Sequence, residues 1–241
     1  IYVIRHGQTP WNVERRLQGR SDTDLNEIGR EMAIETGKAF QKVHFDVVFT
    51  SPLKRARETA ELFLGDRKVP GIEEPRIQEI SFGDYEGLTC GKDNYSIPDP
   101  NFNDFFEHPE HYQTPPNGES LEKLGARTKA FMEDIMHRLG LQDKTVLVSS
   151  HGCATRGILN SIRSFELADF WHGGVPKNCS VALIHVENGQ QLHRPLMGNL
   201  FLLPILGGTE NTAPHAVAHL VFHACFDIVL HRHGIEQTDV L

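Results

Sequence analysis

Short runs of β-branched and other apolar residues alternate with longer helical patterns through about the first 185 residues, and this alternation restricts the fold more than any other feature. Strands separated by helices are joined by crossovers, so the chain is expected to form a three-layer α/β/α sandwich: a mostly parallel central sheet with helices on both faces. The pattern predicts strands at Ile1–Ile4, Asp46–Phe49, Thr145–Ser149 and Val181–Val186. Asn26 is placed to cap a helix from Glu27 to about Val43, with Ile28, Met32 and Ala39 near one face. Ser51-Pro52 predicts a helix start, Ser as N-cap and Pro at the first position, leading into Leu53–Leu64 with Arg55 in the first turn. Further helices are expected from Glu119 to about Leu139 and, after a turn at Ser150-His151-Gly152, to about Ser164.

Residues 90–118 break this pattern into Asp, Asn and aromatic residues punctuated by Pro98, Pro100, Pro109, Pro115 and Pro116, as in a lid-like insertion. After Gln191 the chain changes again, with Pro195, Pro204, Gly207-Gly208 and Pro214 ahead of an apolar, His-rich stretch. The expected division is an α/β domain over 1–191 and an atypical C-terminal extension over 192–241.

A length of 241 residues is enough to bury a core without disulfide staples, and 39% apolar residues exclude a disordered chain. With 24 Lys+Arg against 32 Asp+Glu the net charge is -8, so nucleic acid and anionic membrane surfaces are not expected partners. Any anion site must be local. Cys90, Cys153, Cys179 and Cys225 lie far apart with no C-x-x-C pair, which fits the scattered thiols of a reducing compartment, the cytoplasm by default. The apolar stretches at 200–206 and 216–222 fall short of the roughly 20 residues of a membrane helix and are interrupted by Pro204 and His219. Neither a signal peptide nor an initiator Met is visible ahead of the first strand.

The strand Ile1–Ile4 runs into Arg5-His6-Gly7, and the strand Thr145–Ser149 runs into Ser150-His151-Gly152 ahead of a helix whose N-terminal amides favour anions. A third strand places Arg55 one helical turn beyond its end. Ligands of open α/β sheets bind at such strand ends. Two guanidinium forks with a His donor suit a tetrahedral, doubly charged anion, so the expected ligand is a phosphoryl group. His6 is then the candidate nucleophile, and flanking arginines are expected to depress its pKa and keep the ring neutral.

The blocks Arg5-His6-Gly7-Gln8-Thr9-Pro10-Trp11-Asn12, Ser51-Pro52-Leu53-Lys54-Arg55-Ala56, Glu79-Ile80-Ser81-Phe82-Gly83-Asp84-Tyr85-Glu86-Gly87, Gly118-Glu119-Ser120 and Ser150-His151-Gly152 run in order along 1–186. Together they resemble the histidine phosphatase superfamily, which includes cofactor-dependent phosphoglycerate mutases and fructose-2,6-bisphosphatases. The resemblance implies a phosphohistidine on His6, with Arg5, Arg55 and His151 binding the transferred group and Asn12 assisting. It gives Glu79 the role of protonating the leaving alkoxide and then activating water. Gln18 and Gly19 match a substrate-contacting turn of the mutases, and Gly152 joins them as a candidate binding residue. No cofactor and no metal are expected, because the arginines supply the positive charge.

Mutases that resemble this chain carry extra Lys and Arg in the insertion. Here Lys92 is the only Lys or Arg between Tyr85 and Gly118, which favours hydrolysis of a small phosphate monoester. A mutase, or a phosphate-binding protein without catalysis, is the alternative. Phe102, Phe105, Phe106 and Tyr112 are expected to pack the insertion, with an apolar leaving-group pocket as the second possibility. In the extension, Arg232-His233-Gly234 repeats the triplet too near the chain end for a second site to follow it. His215, His219 and His223 share one face of any helix there, a spacing suited to a transition metal but more simply incidental. No sequence feature speaks to oligomeric state.

Overall fold

A computed structural model describes residues 1–187 together with 190 and 191. The chain runs β1 (Tyr2–Arg5), α1 (Pro10–Val13), α2 (Glu27–Ala39), β2 (Val47–Thr50), α3 (Lys54–Leu64), β3 (Gly71–Glu73), α4 (Asp104–Glu107), α5 (Leu121–His137), β4 (Val146–Ser150), α6 (Gly152–Asn160) and β5 (Val181–Leu183). These strands form one sheet in the order β3-β2-β4-β1-β5, parallel except for β5, which runs antiparallel to β1. A small hairpin, β6 (Val186–Glu187) with β7 (Gln190–Gln191), follows.

Period-two alternation along the strands builds two cores. Val3, Val47, Phe49, Val146 and Val148 face Phe131, Met132, Ile135 and Met136 of α5 and Ile158 of α6. Ile4, Val48, Leu147 and Val181 face the other way, onto Ala60, Phe63 and Leu64 of α3 and onto Phe40 and Phe45. The central strands are apolar on both faces, as expected for a sheet covered on both sides. A third cluster fills one end of the molecule, where Phe102 and Phe105 from the 90–118 segment pack with Ile80, Phe82, Leu121, Leu124, Cys153 and Phe170. Phe105 lies 5.2 Å from Phe82 and 4.9 Å from Tyr112 between ring centroids, so these aromatic side chains pack the segment. Phe106 stays partly exposed.

Several expected boundaries shift, each for a contact remote in sequence. Ser51 is not the cap of α3: the N-cap is Leu53, with no side-chain bond, and the Ser51 hydroxyl is engaged by His151 Nε2 at 2.7 Å. α2 ends at Ala39, not Val43, because Phe40 turns into the core and its carbonyl accepts from Arg67 Nη1 at 3.0 Å. α6 stops at Asn160, whose Nδ2 reaches the Phe170 carbonyl at 2.9 Å. β5 spans three residues, its last rungs joining Ile1 and Ile184, and the run to Val186 leaves the sheet for the hairpin. β3 went unforeseen, being a short, exposed edge strand. Among the described residues no helix is long and apolar enough to cross a membrane. The extension expected over 192–241, with His215, His219, His223 and Arg232-His233-Gly234, lies outside the described residues.

Phe131 is fully buried and sits 5.6 Å from Phe49, edge to face, where α5 meets the sheet. Phe131→Ala is expected to cost about 3–5 kcal/mol of stability, read from the urea midpoint at an unchanged m-value.

Candidate active site

β1, β2 and β4 end at one edge of the sheet, with Arg5 opposite Ser150 and Thr50 opposite Ser149. His6 follows β1 and prolongs its ladder, donating its N–H to the Ser150 carbonyl at 2.9 Å. His151 follows β4 as the N-cap of α6, and Arg55 sits in the first turn of α3 beyond β2. The structure thus brings Arg5, His6, Arg55 and His151 to one place and buries all four, Arg55 and His151 at 0% exposure. The two imidazole centroids are 5.2 Å apart.

Close backbone approach makes this convergence possible. A Cβ on Gly7 would stand 2.5 Å from the Gly29 carbonyl oxygen, and one on Gly29 would stand 2.1 Å from that of Gln8, so the end of β1 lies directly against the start of α2. Asn26 fastens the contact by accepting from Gly29 N–H at 2.7 Å and donating to Gln8 Oε1 at 2.8 Å. Gly7 N–H donates to Thr59 Oγ1 at 2.9 Å, and that hydroxyl donates to the Arg55 carbonyl at 2.6 Å, tying β1 to α3. Asn178 is buried on the opposite side, its Nδ2 donating to the His6 and Gly7 carbonyls at 3.0 and 3.2 Å and to Asn12 Oδ1 at 3.3 Å.

The proton positions follow from these partners. His6 Nδ1 lies 2.7 Å from the Gly7 carbonyl, which can only accept, so the neutral ring carries its proton there and leaves the Nε2 lone pair free. The Ser51 hydroxyl already accepts from Leu53 N–H at 3.3 Å. With the hydroxyl's own proton given to His151 Nε2, the His151 ring proton sits on Nδ1, one of the two tautomers this contact allows. Arg55 donates to the Ser21 and Gly19 carbonyls, each at 2.7 Å, and Arg5 donates to the Pro176 carbonyl. Among the described residues, three buried nitrogens of the cluster have no partner: Arg5 Nε, Arg55 Nε and His151 Nδ1. An unsatisfied buried donor costs about 1–3 kcal/mol, so the cluster has a standing demand for acceptor oxygens.

Burial, ahead of Arg55 and Arg5, drives the His6 pKa well below 6.5; the direction is the expected one, though water exclusion outranks the arginines as its cause. His151 is driven the same way by burial, then by Arg55, His6 and Arg5. Burial pulls the Arg55 guanidinium down to about 10 against the opposing pull of Glu79, and it stays charged at neutral pH.

Glu79 faces the cluster from a neighbouring loop, its carboxylate accepting from the N–H groups of Ile80, Cys153 and Ala154 at 3.0, 3.1 and 3.0 Å, the last two at the start of α6. Arg127 holds that loop from behind, bidentate to Glu119 at 2.8 Å while donating to the carbonyls of Arg76, Gln78 and Glu79 at 2.7, 2.7 and 3.1 Å. Asn12 is buried, with its Oδ1 occupied by Thr9 and Asn178, which leaves Nδ2 as its free donor group. Gln18 is buried against Thr23, and Gly19 adopts φ +53°, where a Cβ would fall 2.2 Å from Glu86 Oε1. Gly152 opens α6, and a Cβ there would touch the Arg5 guanidinium at 3.5 Å.

Residues 1–195 match the family described as the histidine phosphatase superfamily, branch 1. The chain belongs to the histidine phosphatase superfamily. It is 33% identical to phosphoserine phosphatase 1 of Hydrogenobacter thermophilus, over 78% of this chain and 86% of that one. It is 33% identical to the 2,3-bisphosphoglycerate-dependent phosphoglycerate mutase of Bartonella bacilliformis, over 66% and 79%. The solved structure of Bacillus stearothermophilus YhfR superposes with a TM-score of 0.74 at 34% identity, covering 83% of this chain and 96% of that one. Phosphoryl chemistry of the histidine phosphatase type, hydrolysis or transfer, comes with this kinship.

In this member of the superfamily, sequence inspection missed Ser51 as a partner of His151, and missed Asn178, Arg127 and Glu86. Glu86 and Ser51 had a local signal, standing in the same blocks as Glu79 and Arg55. Glu86 Oε1 accepts from Arg20 N–H, Phe82 N–H and Ser81 Oγ, and its Oε2 from Ser21 N–H and Oγ, at 2.7 to 3.3 Å. It therefore joins the turn whose carbonyls hold Arg55 to the loop that carries Glu79. Glu86→Gln is expected to lower kcat/KM roughly tenfold or more with the fold kept, as checked by steady-state kinetics beside circular dichroism.

A second expectation concerns pH. A histidine whose folded pKa is depressed leaves the unfolded chain with more bound protons below 6.5, so stability is whole above 6.5 and falls as pH drops toward the folded value. His6 and His151 should each contribute about 1.4 kcal/mol per pH unit to that fall. Urea unfolding in phosphate-free buffer from neutral to mildly acid pH, with a shallower slope in His6→Gln, checks it.

Proposed function

We propose that this chain is a phosphomonoesterase that releases phosphate from a small phosphorylated metabolite through a phosphohistidine on His6, without a metal ion. The observation that carries this reading is the set of buried nitrogens without partners among the described residues, Arg5 Nε, Arg55 Nε and His151 Nδ1, grouped around a neutral imidazole with an open Nε2. Guanidinium forks match phosphate oxygens in geometry and charge.

In the first step the Nε2 lone pair of His6 forms a P–N bond as the P–O ester bond breaks in line. Arg5, Arg55 and His151 hold the non-bridging oxygens, Asn12 adds its Nδ2, and Glu79, carrying a proton into this step, gives it to the departing oxygen. In the second step water attacks phosphorus, Glu79 takes its proton, the P–N bond breaks and inorganic phosphate leaves. The imidazole ends neutral, as it began. Two guanidinium charges, fixed before the substrate arrives, stabilise the transferring group, so the chemistry needs no metal. Gln18, Gly19 and Gly152 form the surrounding walls. Free thiols at Cys90, Cys153 and Cys179 fit a reducing compartment, the cytoplasm.

Hydrolysis is favoured over transfer because Lys92 is the only Lys or Arg between Tyr85 and Gly118, too little to seat a second anion. Kinship to a phosphoserine phosphatase makes phosphoserine the first ester to try. The test is phosphate release from a panel including phosphoserine and 3-phosphoglycerate in chelator-treated buffer. His6→Ala is expected to abolish release, and Glu79→Gln to lower it by about 10²–10⁴-fold. Interconversion of phosphoglycerates without net release would mark a mutase, and phosphate binding without turnover a binding protein. Loss of release on chelation would end the metal-free reading.

A further inference from the structure

The turn after α4 carries His108, Glu110 and His111, all exposed, with one ligand atom of each lying within 4.8 Å of the others. His108 Nδ1 stands 3.8 Å from Glu110 Oε1, and the two imidazole centroids are 5.9 Å apart. The backbone beneath them is a single 3₁₀ turn over Pro109–His111, closed by His111 N–H to the His108 carbonyl at 2.8 Å. Buried Pro109 and the packed rings of Phe105 and Tyr112 anchor it on both sides.

The three side chains therefore cannot be drawn apart by the main chain, and their tips need only rotate to converge. We propose that His108, Glu110 and His111 form a transition-metal site for Zn²⁺ or an ion of similar preference, separate from the His6 cluster. Two imidazoles and a carboxylate are ordinary zinc donors, and bonds of about 2.0–2.2 Å set tetrahedral ligand atoms roughly 3.3 Å apart. The fourth position is left to water. The surrounding charge favours a cation: residues 87–117 carry Asp93, Asp99, Asp104, Glu107 and Glu110 against Lys92. A bound ion would clip this turn closed, and no step of phosphoryl transfer passes through it.

The experiment is calorimetric titration of the untagged, chelator-stripped full chain with ZnCl₂, as wild type, as H108A/H111A and as H215A/H219A/H223A. The wild type should take up one equivalent that H108A/H111A binds at least tenfold more weakly and the triple variant keeps. Both substituted histidines of H108A/H111A are exposed, so its melting temperature should match the wild type in the absence of zinc. No uptake by the wild type, survival of the equivalent in H108A/H111A, or its loss from the triple variant would overturn the proposal.

Discussion

Charge buried without water is expensive, and this protein gathers two guanidinium groups and two imidazoles at one edge of its sheet. The imidazoles answer by staying neutral. The guanidiniums stay charged, supported by the carbonyls of Gly19, Ser21 and Pro176 and by the carboxylate of Glu79. Among the described residues those partners engage Arg5 Nη1 and both terminal nitrogens of Arg55 and leave both Nε atoms unmet. The result is an enclosed positive potential with directed donors, which strengthens every interaction with an anion because little water screens it. On the proposed function, stability is held back at this edge in favour of affinity for a phosphoryl group.

Much of the remaining structure exists to hold those charges in place. Gly7 and Gly29 permit the backbone contact that sets the depth of His6, and Asn178 bonds both carbonyls beside it. Arg55 depends on the Gly19–Ser21 turn, that turn depends on Glu86, and Glu86 also grips the loop that begins at Glu79. Arg127 fixes the other side of that loop through main-chain carbonyls. Neutral or charged, each of these groups acts through geometry: a displacement of about 1 Å at the reacting atoms is worth orders of magnitude in rate.

The central strands were legible because burial on both faces leaves an unbroken apolar run, and the convergence of Arg5, His6, Arg55 and His151 was legible because Arg5, His6 and His151 stand at the end of such a run and Arg55 one helical turn beyond another. Ser51 misled because capping propensity is local, whereas its hydroxyl is claimed by His151, 100 residues away. Asn178 offered no pattern at all; its partners His6, Gly7 and Asn12 lie at the other end of the chain. Glu79 could be read bottom-up only as a carboxylate in a turn, since what places it is a helix start that sequence spacing does not bring near. β3 escaped because three exposed edge residues carry no periodicity.

On the proposed chemistry, the fate of a phosphoryl group on His6 turns on what can stand opposite it. Water needs only room and a base, which Glu79 provides. A second phosphorylated acid would bring more negative charge toward a group already negative, and at low dielectric that repulsion requires further cations beside the first two arginines. The 90–118 segment supplies instead a cluster of rings, Phe102, Phe105 and Tyr112, turned inward against Phe82 and Phe170. Those rings are committed to packing, the segment's single Lys is Lys92, and its remaining charge is acidic. A surface so built repels a second anion while tolerating water and a leaving group of no net charge, and the same excess of acid leaves its outer turn suited to a cation.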